Sequence, residues 1–160
     1  MLYKIAHILR DKLPWIWDVI GIINSFLFGL RHDGKMTQVQ KILTHFTKTT
    51  EEDGNALFYK IEVLCRDNLS LLAKMFAEQP TSAFDFFKPH GFDELSLSKL
   101  AKDKSFLAYI VVAEGNAQQK VCVGYFFQRS FFWGKSFRGY MTDYRWQRRG
   151  INKMMNLCAT

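Results

Sequence analysis

The sequence predicts an α+β fold, on three observations. Apolar runs rich in β-branched and aromatic residues recur at Leu57–Leu64, Phe106–Glu114, Val121–Phe132 and Ser136–Asp143, as strands do. Between and after them apolar residues fall at helical spacing. Of the 160 residues 48% are hydrophobic and 16% aromatic, enough for one domain with a core and too much for a disordered chain.

Taken in order, Met1 to Arg31 is unlike the rest of the chain. Leu2, Ile5, Ile8 and Leu9 fall at helical spacing, with Lys4, Arg10, Asp11 and Lys12 on the other face, the pattern of an amphipathic helix. Pro14 opens a second apolar run from Trp15 to Leu30, with Arg31, His32 and Lys35 behind it. A bilayer span takes about 20 mostly apolar residues; this run is shorter and carries Asp18 and Asn24, so a full transmembrane helix is not expected. No small-residue cleavage pattern follows, which speaks against a signal peptide. Two readings remain. One is a helix lying in a membrane interface, with tryptophans at headgroup level and basic residues beside acidic lipid. The other is a helical hairpin packed on the domain or on a second subunit of a homodimer. Residues 1–35 are thus an N-terminal apolar helical extension, and the chain is expected in the cytoplasm, in contact at most with the inner face of the membrane through residues 1–31.

From residue 36 to 56 the composition turns polar, with five threonines and then Glu51-Glu52-Asp53-Gly54-Asn55. Val39, Ile42, Leu43 and Phe46 offer one short helical face and Asp53-Gly54-Asn55 a turn, so this stretch reads as a connector. His32 and His45 stand here without companion ligands and read as solvated histidines. After the connector the chain reads as strand, helix, helix, strand, strand, strand, turn, helix. The first strand is Leu57–Leu64. Asp67 is placed to cap a helix whose inward stripe is Leu69, Leu72, Ala73 and Phe76 and which Pro80 ends. An aromatic loop from Phe84 to Phe92 precedes a short helix carrying Leu95, Leu97, Leu100 and Ala101. Phe106–Glu114 is apolar without interruption, as a strand buried on both faces is. Gly115-Asn116 and Gly134-Lys135 supply turns. Tyr125-Phe126-Phe127 and Phe131-Phe132-Trp133 read as core and sheet-face residues.

Charge and cysteine content bound the function. Twenty-two Lys and Arg against fifteen Asp and Glu give a net charge of +7, favouring anionic partners: nucleic acid, anionic lipid or a phosphorylated cofactor. Cys65, Cys122 and Cys158 are odd in number and widely spaced, with no paired spacing for zinc; they read as buried thiols in a reducing compartment. The positive charge gathers at Gln147-Arg148-Arg149-Gly150-Ile151-Asn152, between the last strand and the last helix. Backbone N–H groups at a helix start, assisted by arginines, make an anion cradle there.

With Tyr109-Ile110-Val111-Val112-Ala113-Glu114 and Val123-Gly124-Tyr125 before it, this turn resembles the GNAT superfamily of acyl-CoA-dependent N-acyltransferases over roughly residues 57–160. That family's turn has Gln or Arg, two variable residues, Gly, one variable residue, then Gly or Ala; Gln147 and Gly150 match, and Asn152 departs from the last position. A small residue there lets the helix start approach a pyrophosphate, whereas Asn crowds it or contributes its amide. The resemblance implies a three-layer α/β arrangement, a mixed, mainly antiparallel sheet flanked by helices. It implies acyl transfer from acetyl-CoA or another acyl-CoA to a small amine or amino sugar, with no metal. An amine attacks the thioester directly, a base takes its proton and donors polarise the oxyanion. Tyr140, Met141 and Thr142 would present the strand edge to pantetheine and acyl carbonyl; Gln147, Arg148, Arg149, Gly150, Ile151 and Asn152 would hold the pyrophosphate. Asp143 at the strand end is one candidate base, with capping as its alternative role. His90, in the aromatic loop with Phe86, Phe87 and Phe92, is the other, and a rigid Pro-His-Gly turn is its alternative. The family continues past this helix, so the domain is expected to be incomplete at its C-terminus and weak in binding and turnover. Two other classes stay open. Arg138, Arg145, Arg148, Arg149 and Lys153 with Tyr140, Tyr144 and Trp146 form a basic and aromatic patch of the kind that grips single-stranded nucleic acid, although they crowd one turn instead of following a groove. A membrane-associated interaction protein is the third.

Overall fold

The computed structural model describes residues 14–44, 47–52, 55–85, 87–115 and 120–158. The amphipathic pattern of Met1–Lys12, together with Phe46, His45, Asp53-Gly54, Phe86 and Asn116, lies outside them. The fold is α+β. One helix, α1 (Pro14–Leu43), is followed by strands β1 (Thr47–Glu52) and β2 (Asn55–Val63), helices α2 (Leu69–Ala77) and α3 (Glu94–Ala101), strands β3 (Phe106–Glu114), β4 (Lys120–Ser130) and β5 (Ser136–Thr142), and helix α4 (Ile151–Cys158).

The five strands form one sheet in the order β1-β2-β3-β4-β5, every pair antiparallel. β3 lies in the middle and is buried along nearly its whole length, because its alternate side chains feed two separate cores. Ala108, Ile110 and Val112 pack with Tyr125, Phe127 and Met141 against Leu72, Met75 and Phe76 of α2 and Leu97 of α3. Tyr109, Val111 and Ala113 pack on the other face with Tyr59, Ile61, Val123 and Phe126 against Ile151, Met154 and Met155 of α4 and Leu43 of α1. Helices on both faces of a two-sided sheet make three layers.

Two stretches differ from the sequence reading. The change to polar composition at residue 36 falls inside α1, which runs on to Leu43 because Met36 packs on the core and Leu43 lies within it, 3% exposed. The threonine-rich connector contains β1, which pairs from Thr47↔Lys60 to Glu52↔Asn55. An edge strand with solvent on one side can be polar throughout, and β-branched threonine suits it. The entry to α2 is also built differently. A 3₁₀ turn over Arg66–Asn68 precedes the helix, and buried Asn68 organises it: its Oδ1 accepts from Cys65 N–H at 2.9 Å and its Nδ2 donates to Val63 C=O at 3.0 Å. Asp67 lies within that turn instead of capping α2. Cys65 is exposed there, whereas Cys122 is buried as expected, its thiol pushed up to about 12 by burial.

α1 crosses the end of the sheet where β3 begins and β4 ends. Buried Asn24 donates from Nδ2 to Ser130 C=O and accepts at Oδ1 from Phe132 N–H, both at 3.0 Å. Ser25 Oγ accepts from Lys104 N–H at 2.9 Å. Gly29 approaches so closely that an added Cβ would stand 2.6 Å from Lys104 Cδ. Among the described residues no helix is long and apolar enough to cross a membrane.

Candidate functional site

The strand–turn–helix from β5 to α4 brings the predicted cofactor residues together. Tyr140, Met141 and Thr142 pair with Phe126, Tyr125 and Gly124 of β4. Met141 is buried, Thr142 half-buried, and Tyr140 is exposed and stacked over Phe126, ring planes 6° apart. The other edge of β5 pairs with no strand among the described residues.

Asp143 ends the strand. It is fully buried, 0% exposed, and its Oδ1 accepts from Arg145 N–H at 2.9 Å, capping a 3₁₀ turn over Tyr144–Trp146. Arg145 returns to it, Nε to Oδ1 at 3.0 Å and an η nitrogen to Oδ2 at 2.6 Å, and reaches Glu78 Oε2 at 2.6 Å. Burial alone would raise the Asp143 pKa; hydrogen bonds from the Arg145 side chain and backbone outweigh it and hold the carboxyl below its ordinary value. Gln79 ties the same turn to α2, accepting from Tyr144 N–H at 3.1 Å while donating to Met75 C=O at 3.0 Å. Of its two candidate roles Asp143 therefore has the geometry of the cap.

The cradle follows. Arg148 has φ +65° and Gly150 φ +79°, two left-handed residues that reverse the chain between Gln147 and Ile151. The first helical bond of α4 runs from Met154 N–H to Gly150 C=O at 3.0 Å, so the N–H groups of Ile151, Asn152 and Lys153 have no acceptor within the helix. α4 is seated by Gly124, where an added Cβ would lie 2.9 Å from Ile151 Cγ2, and by Tyr109, whose hydroxyl donates to Met155 C=O at 3.1 Å. Arg149 stacks on Trp146, 4.7 Å from the ring centroid, and Trp146 meets Tyr59 edge-on. Asn152, the off-pattern residue, accepts at Oδ1 from Asn156 Nδ2 at 2.9 Å, so its amide is directed along the helix surface. Sequence reasoning missed Lys48: its Nζ lies 3.3 Å from where a Gly150 Cβ would stand. That ammonium comes from β1, the strand hidden in the polar connector.

His90 is elsewhere. It belongs to the α2 and α3 face, ringed by Phe76, Phe92, Phe106 and Phe127. It also lines a cleft with Arg129, and Arg129 is five residues along β4 from Gly124, about 17 Å at strand rise. Its Nδ1 lies 2.7 Å from Gly91 C=O and its Nε2 2.8 Å from Tyr125 Oη. A carbonyl only accepts, so Nδ1 carries the hydrogen and Nε2 accepts from the tyrosine. Burial lowers the His90 pKa and raises that of Tyr125. The described residues contain no group of His, Cys, Asp and Glu that would hold a metal. Comparison of the chain with models of known families, with curated proteins and with solved structures finds no match.

Proposed function

We propose that the chain is an acyl-CoA-dependent N-acyltransferase of GNAT type, with the pyrophosphate of the cofactor at residues 147–152. The observation that carries this reading is the turn itself. Left-handed Arg148 and Gly150 stand at the start of α4 with Lys48 beside them, and helix-start N–H groups without an acceptor in the helix, with cations nearby, suit a diphosphate. The element order around it supports the reading: strand, two helices, three antiparallel strands, turn, helix. The outer edge of β5 is the counterpart of the edge that receives pantetheine, with Tyr140 as an exposed ring and Thr142 as a hydroxyl beside it.

In the proposed reaction an amine nitrogen of a small amine or amino sugar attacks the thioester carbonyl. A C–N bond forms, the C–S bond breaks, and the amine proton ends on the departing thiol. Backbone N–H groups on the β5 edge polarise the carbonyl oxygen. Asp143 holds the turn, its oxygens already engaged by Arg145. The nucleic-acid reading loses support from the same geometry, since Arg145 is committed to Asp143 and Glu78 and Trp146 is covered by Arg149.

Calorimetric titration with acetyl-CoA tests the proposal. Binding should occur, should weaken at least about tenfold in Arg148→Ala/Arg149→Ala through lost charge-assisted contacts, and should be much weaker for the pantetheine half alone. Equal affinity of wild type and variant, or preference for an oligonucleotide over CoA, would refute it.

A further inference from the structure

The first half of helix α1 leaves a stripe of apolar side chains exposed. Trp15, Val19, Ile22, Ile23, Phe26 and Leu30 are 44–73% exposed, and at helical pitch they fall within an arc of about 100°. The side facing the sheet carries Asn24 and Phe28, and Gly29 meets Lys104 at the margin of the stripe. Three residues of the stripe, Ile22, Phe26 and Leu30, also form one wall of a cleft of about 970 Å³. Its other lining is basic, with Lys99, Lys102, Lys104 and Arg129, against Asp18 and Asp103 as the carboxylates. Asp103 is 3.8 Å from an Arg129 η nitrogen. Arg129 Nε is buried and has no hydrogen-bond partner among the described residues, the condition of a donor awaiting an acceptor.

We propose that this cleft and stripe form a binding site for anionic phospholipid at a membrane surface, the phosphate among Lys99, Lys102 and Arg129 and an acyl chain along Ile22, Phe26 and Leu30. A soluble anion would have no use for the apolar wall, and a neutral lipid would offer Lys99 and Lys102 no counter-charge. A second copy placed face to face would bring the same lysines together, which like-charge repulsion disfavours. An anionic bilayer meets both halves of the surface: α1 lies along the headgroup boundary, apolar arc inward, and the cleft opens beside it.

The test is flotation of the 160-residue chain with vesicles of phosphatidylcholine alone and of phosphatidylcholine with phosphatidylglycerol in equal parts. The chain should float with the anionic vesicles and about tenfold less with the neutral ones. Lys99→Glu/Lys102→Glu should cut partitioning at least about tenfold, as basic residues at a lipid surface do, while Lys60→Glu on β2 should leave it within about twofold. Ile22→Ser/Phe26→Ser should lower it similarly and leave only binding that about 0.5 M salt removes. All variants replace exposed side chains, and circular dichroism melting confirms that each is folded. Four outcomes overturn the proposal: equal flotation with both vesicles, equal loss on reversing Lys60, full competition by millimolar inorganic phosphate, or a lipid-free dimer that Ile22→Ser/Phe26→Ser dissociates. CoA affinity serves as the independent readout and should be unchanged in these variants.

Discussion

Asn24 is a buried amide in the apolar first half of α1, and its two bonds to Ser130 C=O and Phe132 N–H span 106 and 108 residues of sequence. Asn24→Ala leaves a buried carbonyl and a part-buried N–H without their partner, so a loss of about 1 to 3 kcal/mol is expected in urea unfolding. A loss below about 0.5 kcal/mol would mean that water replaces the amide. His90 makes a pH prediction. Its imidazole is held neutral by burial, below an ordinary value of 6.5; under that pH the unfolded chain takes up a proton that the folded chain does not, and stability falls. Asp143, with its lowered pKa, acts at lower pH, its contribution present above the usual carboxylate range and lost as pH falls through the folded value. Unfolding free energy should therefore decline from pH 7 to 5, and His90→Gln should flatten that slope while leaving the further loss below pH 4 in place. An unchanged slope would remove His90 from the balance. These roles are partly legible in sequence. Residue type and strand-end position mark Asp143 as a cap or base, but the decision between them lies with Arg145, Glu78 and Gln79, whose convergence is tertiary. Lys48 has no local signal at all.

At the scale of elements, strands and helices with strong internal patterns are legible to within a residue or two. Phe106–Glu114 is a run that only a two-sided strand explains, and α4 follows its apolar spacing. β1 is hidden because an edge strand exposes its side chains and so loses the alternation that marks a half-buried one. The turn before α4 is legible from Gly150, while the left-handed Arg148 is not, since glycine is the residue expected at positive φ. That strain separates shape from charge. Arg148→Gly relieves a left-handed side-chain residue and should raise stability or leave it unchanged, within about 1 kcal/mol, while weakening CoA about as much as Arg148→Ala. Gly150→Ala introduces the strain at φ +79° and presses on Lys48, so it should cost about 1 kcal/mol and weaken CoA binding as well. If Arg148→Gly binds CoA like wild type, the guanidinium is not a phosphate ligand.

At the scale of the molecule, composition suggests an extension, a connector and a domain, whereas the architecture ties the three together. The apparent boundary at residue 36 is a change in what faces solvent: α1 continues through it, clamped by Asn24 and Gly29 at one point and by Leu43 in the core at another. Composition registers exposure along a chain and is silent on which distant segment covers which, so the joining of α1 to the β4–β5 turn has no sequence signature. The clamp predicts a pattern of amide hydrogen exchange. β3, paired on both sides and buried on both faces, should exchange only through global unfolding. β1, polar and paired on one side, should exchange at least about a hundredfold faster. Within α1 the amides from Asn24 to Leu43 should approach the protection of the sheet, and those between Trp15 and Ile23, ahead of the first clamp, should exchange faster by local fraying. Uniformly fast exchange along all of α1 would make the helix a separate unit, with the Asn24 bonds too weak to couple it to the sheet. Protection that steps up at Asn24, and that Asn24→Ala moves toward Leu43, would place the joint at that amide.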